Sequence, residues 1–277
     1  NNLSASAPGL ATANQGMDVV TYTGNSTARN IGGLAFTPDL VIIKARSAAY
    51  NHYWVDSVRG TNKNLYSNST EATQTADRLS SFNSDGFGLT NHTGVNNNGT
   101  TYVAWCFRAG GAASSNTSGT ITSSVSANAS YGFSICTYTG NGTGGATIGH
   151  SLGSAPSFLI VKDRSAAASW HCQHSAIGNT SAIFLNSSSA AVSNGAYWNN
   201  TSPTNSVFTV GTADGMNGNG NTYVAYCWSE VVGFSKFSSY SGNGSNTGTV
   251  VTTGFKPRFI LIKGTSSARD WWIYDSQ

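Results

Sequence analysis

Charge is what this chain has least of. Of 277 residues, 14 are Lys or Arg and 11 are Asp or Glu, so charged side chains make up 9%, against about 25% in an average soluble protein. The formal net charge is only +3 and no basic cluster occurs. That argues against a nucleic-acid surface, which needs several Lys or Arg close together to neutralise phosphates. No apolar run approaches the roughly 20 residues of a membrane helix. Helical periodicity is weak throughout, because Gly, Asn, Ser and Thr interrupt nearly every window of helix length. Cysteine is also sparse: Cys106, Cys136, Cys172 and Cys227 are too few for the disulfide framework of a small secreted domain. Cys106 and Cys227 lie at matching places in apolar runs and read as buried small hydrophobes. They leave the compartment open.

Hydroxyls and amides take the place of charge on the surface. With 39% hydrophobic and 11% aromatic residues, the chain still has enough apolar mass to build cores, so low charge does not imply disorder. That apolar mass is arranged as a repeat. The turn motif Tyr22-Thr23-Gly24-Asn25 recurs as Tyr138-Thr139-Gly140-Asn141 and Tyr240-Ser241-Gly242-Asn243. An apolar run ending in lysine follows each copy: Leu40-Val41-Ile42-Ile43-Lys44, Phe158-Leu159-Ile160-Val161-Lys162 and Phe259-Ile260-Leu261-Ile262-Lys263. Two copies close alike, with Thr101-Tyr102-Val103-Ala104-Trp105-Cys106-Phe107 and Thr222-Tyr223-Val224-Ala225-Tyr226-Cys227-Trp228. Each full copy is too long for a solenoid repeat of roughly 20–50 residues and long enough to bury a core. The expected organisation is three segments strung like beads: 1–111, 112–232 and a partial third copy over 233–277. The pattern stops at Gln277 midway through the third copy, so a longer protein continuing at both ends is the expectation.

Eight β-branched and aromatic runs read as strands: 19–22, 40–43, 102–107, 133–138, 158–161, 207–210, 223–228 and 259–262. Turn residues bound them, which predicts an all-β fold of tandem antiparallel β-sandwich repeats. The run Leu40-Val41-Ile42-Ile43 is apolar on both faces and should be a central strand covered on each side. Gly24-Asn25 and Gly140-Asn141-Gly142 are expected to supply positive φ for tight reversals. Tyr22, Tyr138 and Tyr240 are expected to pin those turns with the ring inside and the hydroxyl in water. The stretch 112–130 reads either as a linker or, over 119–125, as an edge strand.

Candidate sites are weak in the sequence. His171-Cys172-Gln173-His174 is the most metal-like string, but zinc needs about four ligands in paired spacing. On a strand, residues 171 and 174 point to opposite faces, so a sheet-face role is preferred. The five histidines do not recur at equivalent positions. Serine is everywhere, so any Ser/His/Asp match carries no information. Asp56 and Asp275 align across copies, which fits a turn or ladder role. No catalytic, cofactor-binding or metal-ligating residue is therefore assigned, no cofactor is expected, and the chain is expected not to be an enzyme. The aromatics Trp54, Trp170, Trp271 and Trp272 follow the apolar strand in each copy and are candidate glycan-contacting residues. The rival and preferred assignment is that they fill the core. Asn-X-Ser/Thr strings are expected from composition alone and say little about glycans.

Several stretches together resemble repeat domains of virion proteins in tailed bacteriophages, especially marine phages. They include the run from Ala13 to Asn25, Pro38-Asp39-Leu40-Val41-Ile42-Ile43-Lys44-Ala45-Arg46-Ser47, Asp56-Ser57-Val58-Arg59-Gly60 and Ser81-Phe82-Asn83-Ser84-Asp85-Gly86-Phe87. The second copy adds Tyr197-Trp198-Asn199-Asn200-Thr201-Ser202-Pro203-Thr204 and the run from Tyr223 to Val231, and Gly233-Phe234-Ser235-Lys236-Phe237 follows. The resemblance implies an extracellular structural or adhesive role in tail-fibre-like proteins, and it carries no catalytic residues. The expected function is a segment of a phage tail fibre, spike or capsid appendage that contacts the host surface. The expected partners are other copies of the chain, as a homo-oligomer (a trimer by analogy with fibres), other virion proteins and a host-surface glycan. Neither nucleic acid nor membrane is an expected partner. A bacterial extracellular filament or surface adhesin is the first alternative, and a polysaccharide-binding or -degrading spike the second.

Overall fold

The computed structural model describes residues 15–277; the opening residues of the first segment, with Ala13 and Asn14 of the resemblance, lie outside that range. The first segment forms β1 (Met17–Thr23), β2 (Arg29–Ile31), β3 (Leu40–Ala45), β4 (Tyr53–Asp56), β5 (Lys63–Tyr66), β6 (Gln74–Thr75), β7 (Leu79–Asn83), β8 (Gly86–Leu89), a helical turn α1 (Thr93–Asn96) and β9 (Thr101–Phe107). The second forms β10 (Ser114–Asn116), β11 (Ser123–Asn128), β12 (Phe133–Thr139), β13 (Ala146–Gly149), β14 (Phe158–Asp163), β15 (His171–His174), β16 (Ser181–Phe184), β17 (Val192–Ser193), α2 (Gly195–Trp198), β18 (Val207–Val210), α3 (Asp214–Asn217) and β19 (Thr222–Trp228). The third contributes the hairpin β20 (Phe259–Lys263) and β21 (Trp271–Asp275). All eight runs expected to be strands are strands. The stretch 112–130 contributes β10 and β11, a sheet edge and not a linker.

The fold is all-β, built from antiparallel sheets. The large sheet of the first segment has the order β1-β9-β3-β4-β5-β6, and the second contains the corresponding run β12-β19-β14-β15-β16-β17, extended at one edge by β11 and β10. Small sheets, β2-β8-β7 and β13-β18, lie opposite them. Register defines which residues correspond. Leu40 and Phe158 face the last residues of the closing strands, Phe107 and Trp228, on one side. On the other side they face Asp56 and His174, as Phe259 faces Asp275.

Alternation along the central strands sets the packing. Val41 and Ile43 join Phe87, Leu89 and Tyr102 in a core between the first large sheet and its small sheet. Leu159 and Val161 do the same with Trp198, Phe208 and Tyr223 in the second. The opposite faces do not meet solvent. Leu40, Ile42, Trp54, Trp105 and Phe107 pack with Phe158, Ile160, Trp170, Val224 and Tyr226 in a single core that Phe259, Leu261 and Trp271 also flank. The doubly apolar run from Leu40 to Ile43 is thus covered on both sides as expected, but its second cover is another segment. Independent beads are corrected to segments fused through one shared core, because strands apolar on both faces cannot close around a private interior alone.

Two turn expectations are also corrected. Gly24 and Gly140 do not have positive φ; Gly142 does, at 69°. What glycine provides at 24 and 140 is close approach: a Cβ would lie 2.1 Å from Asn97 O and 2.4 Å from Gly218 O respectively. The tyrosine hydroxyls are not in water. Tyr22 donates to Val95 O at 2.8 Å and Tyr138 to Met216 O at 2.7 Å, each stacked 5.0 Å from Tyr102 or Tyr223. A buried hydroxyl must find such a partner, and the orphan carbonyls of α1 and α3 are at hand. Tyr240 in the third segment is half exposed and lies outside any strand.

Candidate functional site

The most elaborated chemistry in the molecule lies where the segments meet. The first segment offers the carbonyls of its β5–β6 loop to the β14–β15 loop of the second. Trp170 Nε1 donates to Tyr66 O at 3.0 Å and Ser69 O at 3.1 Å. Lys162 Nζ donates to Thr70 O at 3.2 Å. The backbone adds Ala168 N to Thr70 O and Thr73 N to Arg164 O, both 2.9 Å. The second segment docks the third by the same set. Trp271 Nε1 donates to Phe184 O at 2.9 Å and Lys263 Nζ to Ser188 O at 3.0 Å. Arg269 N donates to Ser188 O at 2.8 Å and Ala191 N to Thr265 O at 2.9 Å. Lys162 and Lys263, the recurrent lysines of the second and third copies, are therefore latches, whereas Lys44 of the first donates to Tyr50 O in its own loop.

A second contact runs from closing strand to carboxylate. Tyr226 Oη of the second segment donates to Asp56 Oδ2 of the first at 2.8 Å. Trp105 Nε1 of the first donates to Asp275 Oδ2 of the third at 3.0 Å. Register makes Trp105 and Tyr226 equivalent, both opposite an isoleucine two residues into the apolar strand. Asp56 also binds Arg59 through Nε at 2.5 Å, with both side chains fully buried, and Arg59 Nη2 reaches Trp54 O and Tyr226 Oη at 3.1 Å. Trp54 fills the space between Trp170 and Tyr226, with ring centroids 5.1 and 5.2 Å away. Phe107 touches Phe133, Trp228 and Phe259 at 5.5, 5.8 and 6.1 Å.

Burial governs the titratable groups here. It pulls the Lys162 ammonium down to about 8, partly offset by Asp163. It depresses His171 to about 4, with Lys162 adding a smaller push. Burial and then Lys44 take His52 to about 4. Burial raises the Tyr226 phenol and the thiols of Cys106, Cys172 and Cys227. In each case burial is the leading cause. The rings of His92, His150 and His174 bond backbone groups.

The sequence candidates distribute as follows. His171 is buried between Phe184 and Tyr197, while His174 caps a short turn by accepting from Ala176 N at 3.0 Å. Among the described residues no three His, Cys, Asp or Glu converge as a metal site. All four cysteines are buried free thiols. Trp54 and Trp170 are 6% and 0% exposed and offer no face to a sugar. Trp271 is half-buried on the shared core, and Trp272, one residue on and therefore on the opposite face, is 57% exposed. The four tryptophans are not equivalent. In register Trp54 matches Cys172 and Ile273, whereas Trp170 matches His52 and Trp271. A slip of two residues keeps a side chain on the same face, which is why a Trp-to-Trp match looked sound. Arg59 was not singled out in the sequence. The recurrent lysine was visible there, and a lysine closing an apolar strand was the available signal for a latch.

No helix among the described residues is long and apolar enough to cross a membrane. Residues 13–277 match a domain of unknown function, DUF7483. No curated protein and no solved structure matches the chain.

Proposed function

The chain belongs to the DUF7483 family, defined as a domain of unknown function, and for it we propose a structural and adhesive role: a rigid β-rich segment of an extracellular assembly, of the tail-fibre, spike or appendage kind that its motifs resemble. In this reading the first two segments are duplicated β-sandwiches, and the partial third repeats their central hairpin. The observation that supports it most is the docking set used twice, from Tyr66–Thr73 to Lys162–Trp170 and from Phe184–Ala191 to Lys263–Trp271. The repeated and buried chemistry joins one segment to the next.

Binding in such a protein comes from repetition and reach rather than from a deep site, since linked weak contacts add through effective concentration. Sheet edges in a surface with so few charges are adhesive unless covered, which favours homo-oligomers and contacts with other virion proteins. Of the four candidate tryptophans, Trp272 is the one with an exposed ring, which supports it as the glycan-stacking residue. The test is particle labelling. Antibodies against the purified chain should decorate tails or appendages of tailed particles in the sample that carries the sequence. Labelling confined to bacterial surfaces would replace the virion reading with a cellular adhesin. Shortening of host polysaccharide by the purified chain would overturn the non-enzymatic one.

A further inference from the structure

The four thiols divide among three cores. Cys106 lies in the core of the first segment. Cys172 lies in the core shared between segments, where its thiol donates to Trp170 O at 3.7 Å. Cys136 and Cys227 lie together in the core of the second segment. They stand on neighbouring central strands, β12 and β19, on the face that also carries Tyr138, Tyr223 and Ala225. Register puts Cys136 opposite Ala225 and Cys227 opposite Ser134, so the two cysteines are diagonal neighbours on one face.

Diagonal partners of an antiparallel pair lie about 7–8 Å apart at Cα, with Cβ atoms closer. That is the outer edge of disulfide reach, for which Cα atoms are usually about 4.4–6.8 Å apart. Side-chain contact shows that this diagonal is a close one. The Cys136 and Cys227 thiols hydrogen-bond each other, and Ser134 Oγ, 3.8 Å from Cys136 Sγ, belongs to the same group. The first segment has no such pair. Cys106 faces Asp18 there, and the place of Cys136 is taken by Val20, opposite Ala104.

Ser134, Cys136 and Cys227 are all fully buried. Val125 of β11 stands opposite Cys136 and Leu159 of β14 opposite Cys227. An oxidant therefore has no path to the thiols in the closed sheet. Burial also raises the Cys227 thiol, which withholds the thiolate that would attack. Both restraints are relieved while β12 and β19, remote in sequence, are still coming together.

We propose that Cys136 and Cys227 form a covalent modification site, a latent cross-strand disulfide that closes when the chain folds in contact with a low-molecular-weight disulfide. One cysteine thiolate attacks oxidised glutathione, breaking its S–S bond, releasing one glutathione and forming a mixed disulfide. The second thiolate attacks the chain sulfur of that mixed disulfide and displaces the other glutathione. The protein gains one S–S bond and loses two electrons and two protons, all of which leave on two molecules of reduced glutathione. The bond ties β12 to the closing strand in the middle of the sheet and encloses a long loop, which constrains the unfolded chain. The pairing rests on register and packing and not on the adhesive reading, so either can fail alone.

The test refolds the reduced whole chain with a mixture of reduced and oxidised glutathione, then reads intact mass and thiol count in denaturant. The mass should fall by two hydrogens and the count from four to two, whereas refolding with reduced glutathione alone keeps all four. Cys106→Ala and Cys172→Ala should leave the mass loss intact, and Cys136→Ala and Cys227→Ala should each abolish it. The oxidised chain should unfold at higher denaturant than the reduced one. Four thiols remaining after oxidative refolding overturn the proposal. So does a mass loss that survives Cys136→Ala or Cys227→Ala, or a stable glutathione adduct at either position, because the second thiol would then not have reached the first.

Discussion

Replacing Arg59 with methionine tests whether the segments are fused through one core or merely adjacent. The guanidinium is fully buried, pairs with Asp56, and bonds Trp54 O and Tyr226 Oη of the neighbouring segment. Methionine retains most of the buried stem, so the loss is chiefly electrostatic. Removing one partner of a buried ion pair costs about 3–5 kcal/mol because the other charge is stranded. Asp56 keeps two donors, the backbone N–H of residue 59 and Tyr226 Oη, each at 2.8 Å, which places the expected cost near the lower end, about 3 kcal/mol. In a chain of this size that lowers Tm by roughly 6–12 °C. The double variant Asp56→Leu/Arg59→Met should recover most of the loss, since buried pairs replaced together by apolar groups are often close to neutral. Arg59 Nη1, which has no partner among the described residues, points the same way. Guanidinium unfolding followed by tryptophan fluorescence and by far-ultraviolet circular dichroism is the assay. A single transition should move to lower denaturant with both probes coincident. Two separate transitions with only one displaced, or a change below about 1 kcal/mol, would refute the shared core.

Further outcomes follow from the same geometry. Trp170→Phe removes an N–H that satisfies two carbonyls and should cost about 1–3 kcal/mol, read by the same unfolding assay, with the whole transition moving. His171 is held neutral in the folded chain down to about pH 4, whereas the unfolded side chain takes a proton near 6.5. Stability should therefore fall as pH drops from 6.5 to 4 and level off below, by about 3 kcal/mol from this residue; His171→Gln should flatten that branch of the midpoint-versus-pH curve. Lys162 behaves in the same sense at higher pH: its pKa is lowered to about 8, so its contribution improves as pH rises from 8 to about 10.5 and is lowest and constant below 8. Gly24→Ala forces a Cβ to within 2.1 Å of a backbone oxygen and should cost about 1–3 kcal/mol, measured by thermal melting, unlike Gly99→Ser, where no atom stands within 4 Å and only the backbone conformation is strained. The four buried thiols should resist a thiol reagent in the native protein and titrate fully in denaturant.

Some of this was legible without coordinates. Strand positions were, because β-branched runs bounded by Asn and Gly turns signal local conformation directly. The correspondence between copies was legible too, since motif order survives divergence, and so was the placement of residues 171 and 174 on opposite faces, which needs only the period of a strand. The hidden parts each depend on something remote in sequence. Trp54 and Trp170 look alike, yet pairing with β3 and β14 sets them two residues out of register, a slip that a period-two pattern cannot detect. Gly24 reads as a turn glycine, but the constraint on it is the carbonyl of Asn97, over seventy positions away. Arg59 is unremarkable until Tyr226 stands over Asp56.

By itself the sequence determined an all-β chain with three copies of one strand motif, poor in charge, and apolar on both faces of its central strands. A two-faced strand states that each side must be covered and is silent about what covers it. Tertiary structure decided that the second cover is a neighbouring segment. It made a shared aromatic core and turned Lys162 and Lys263 into latches. The physical reason is that hydrophobic burial is non-directional and only counts area removed from water, whereas the hydrogen bonds of Lys162, Trp170 and Tyr226 require particular atoms at particular distances that only the folded chain brings together.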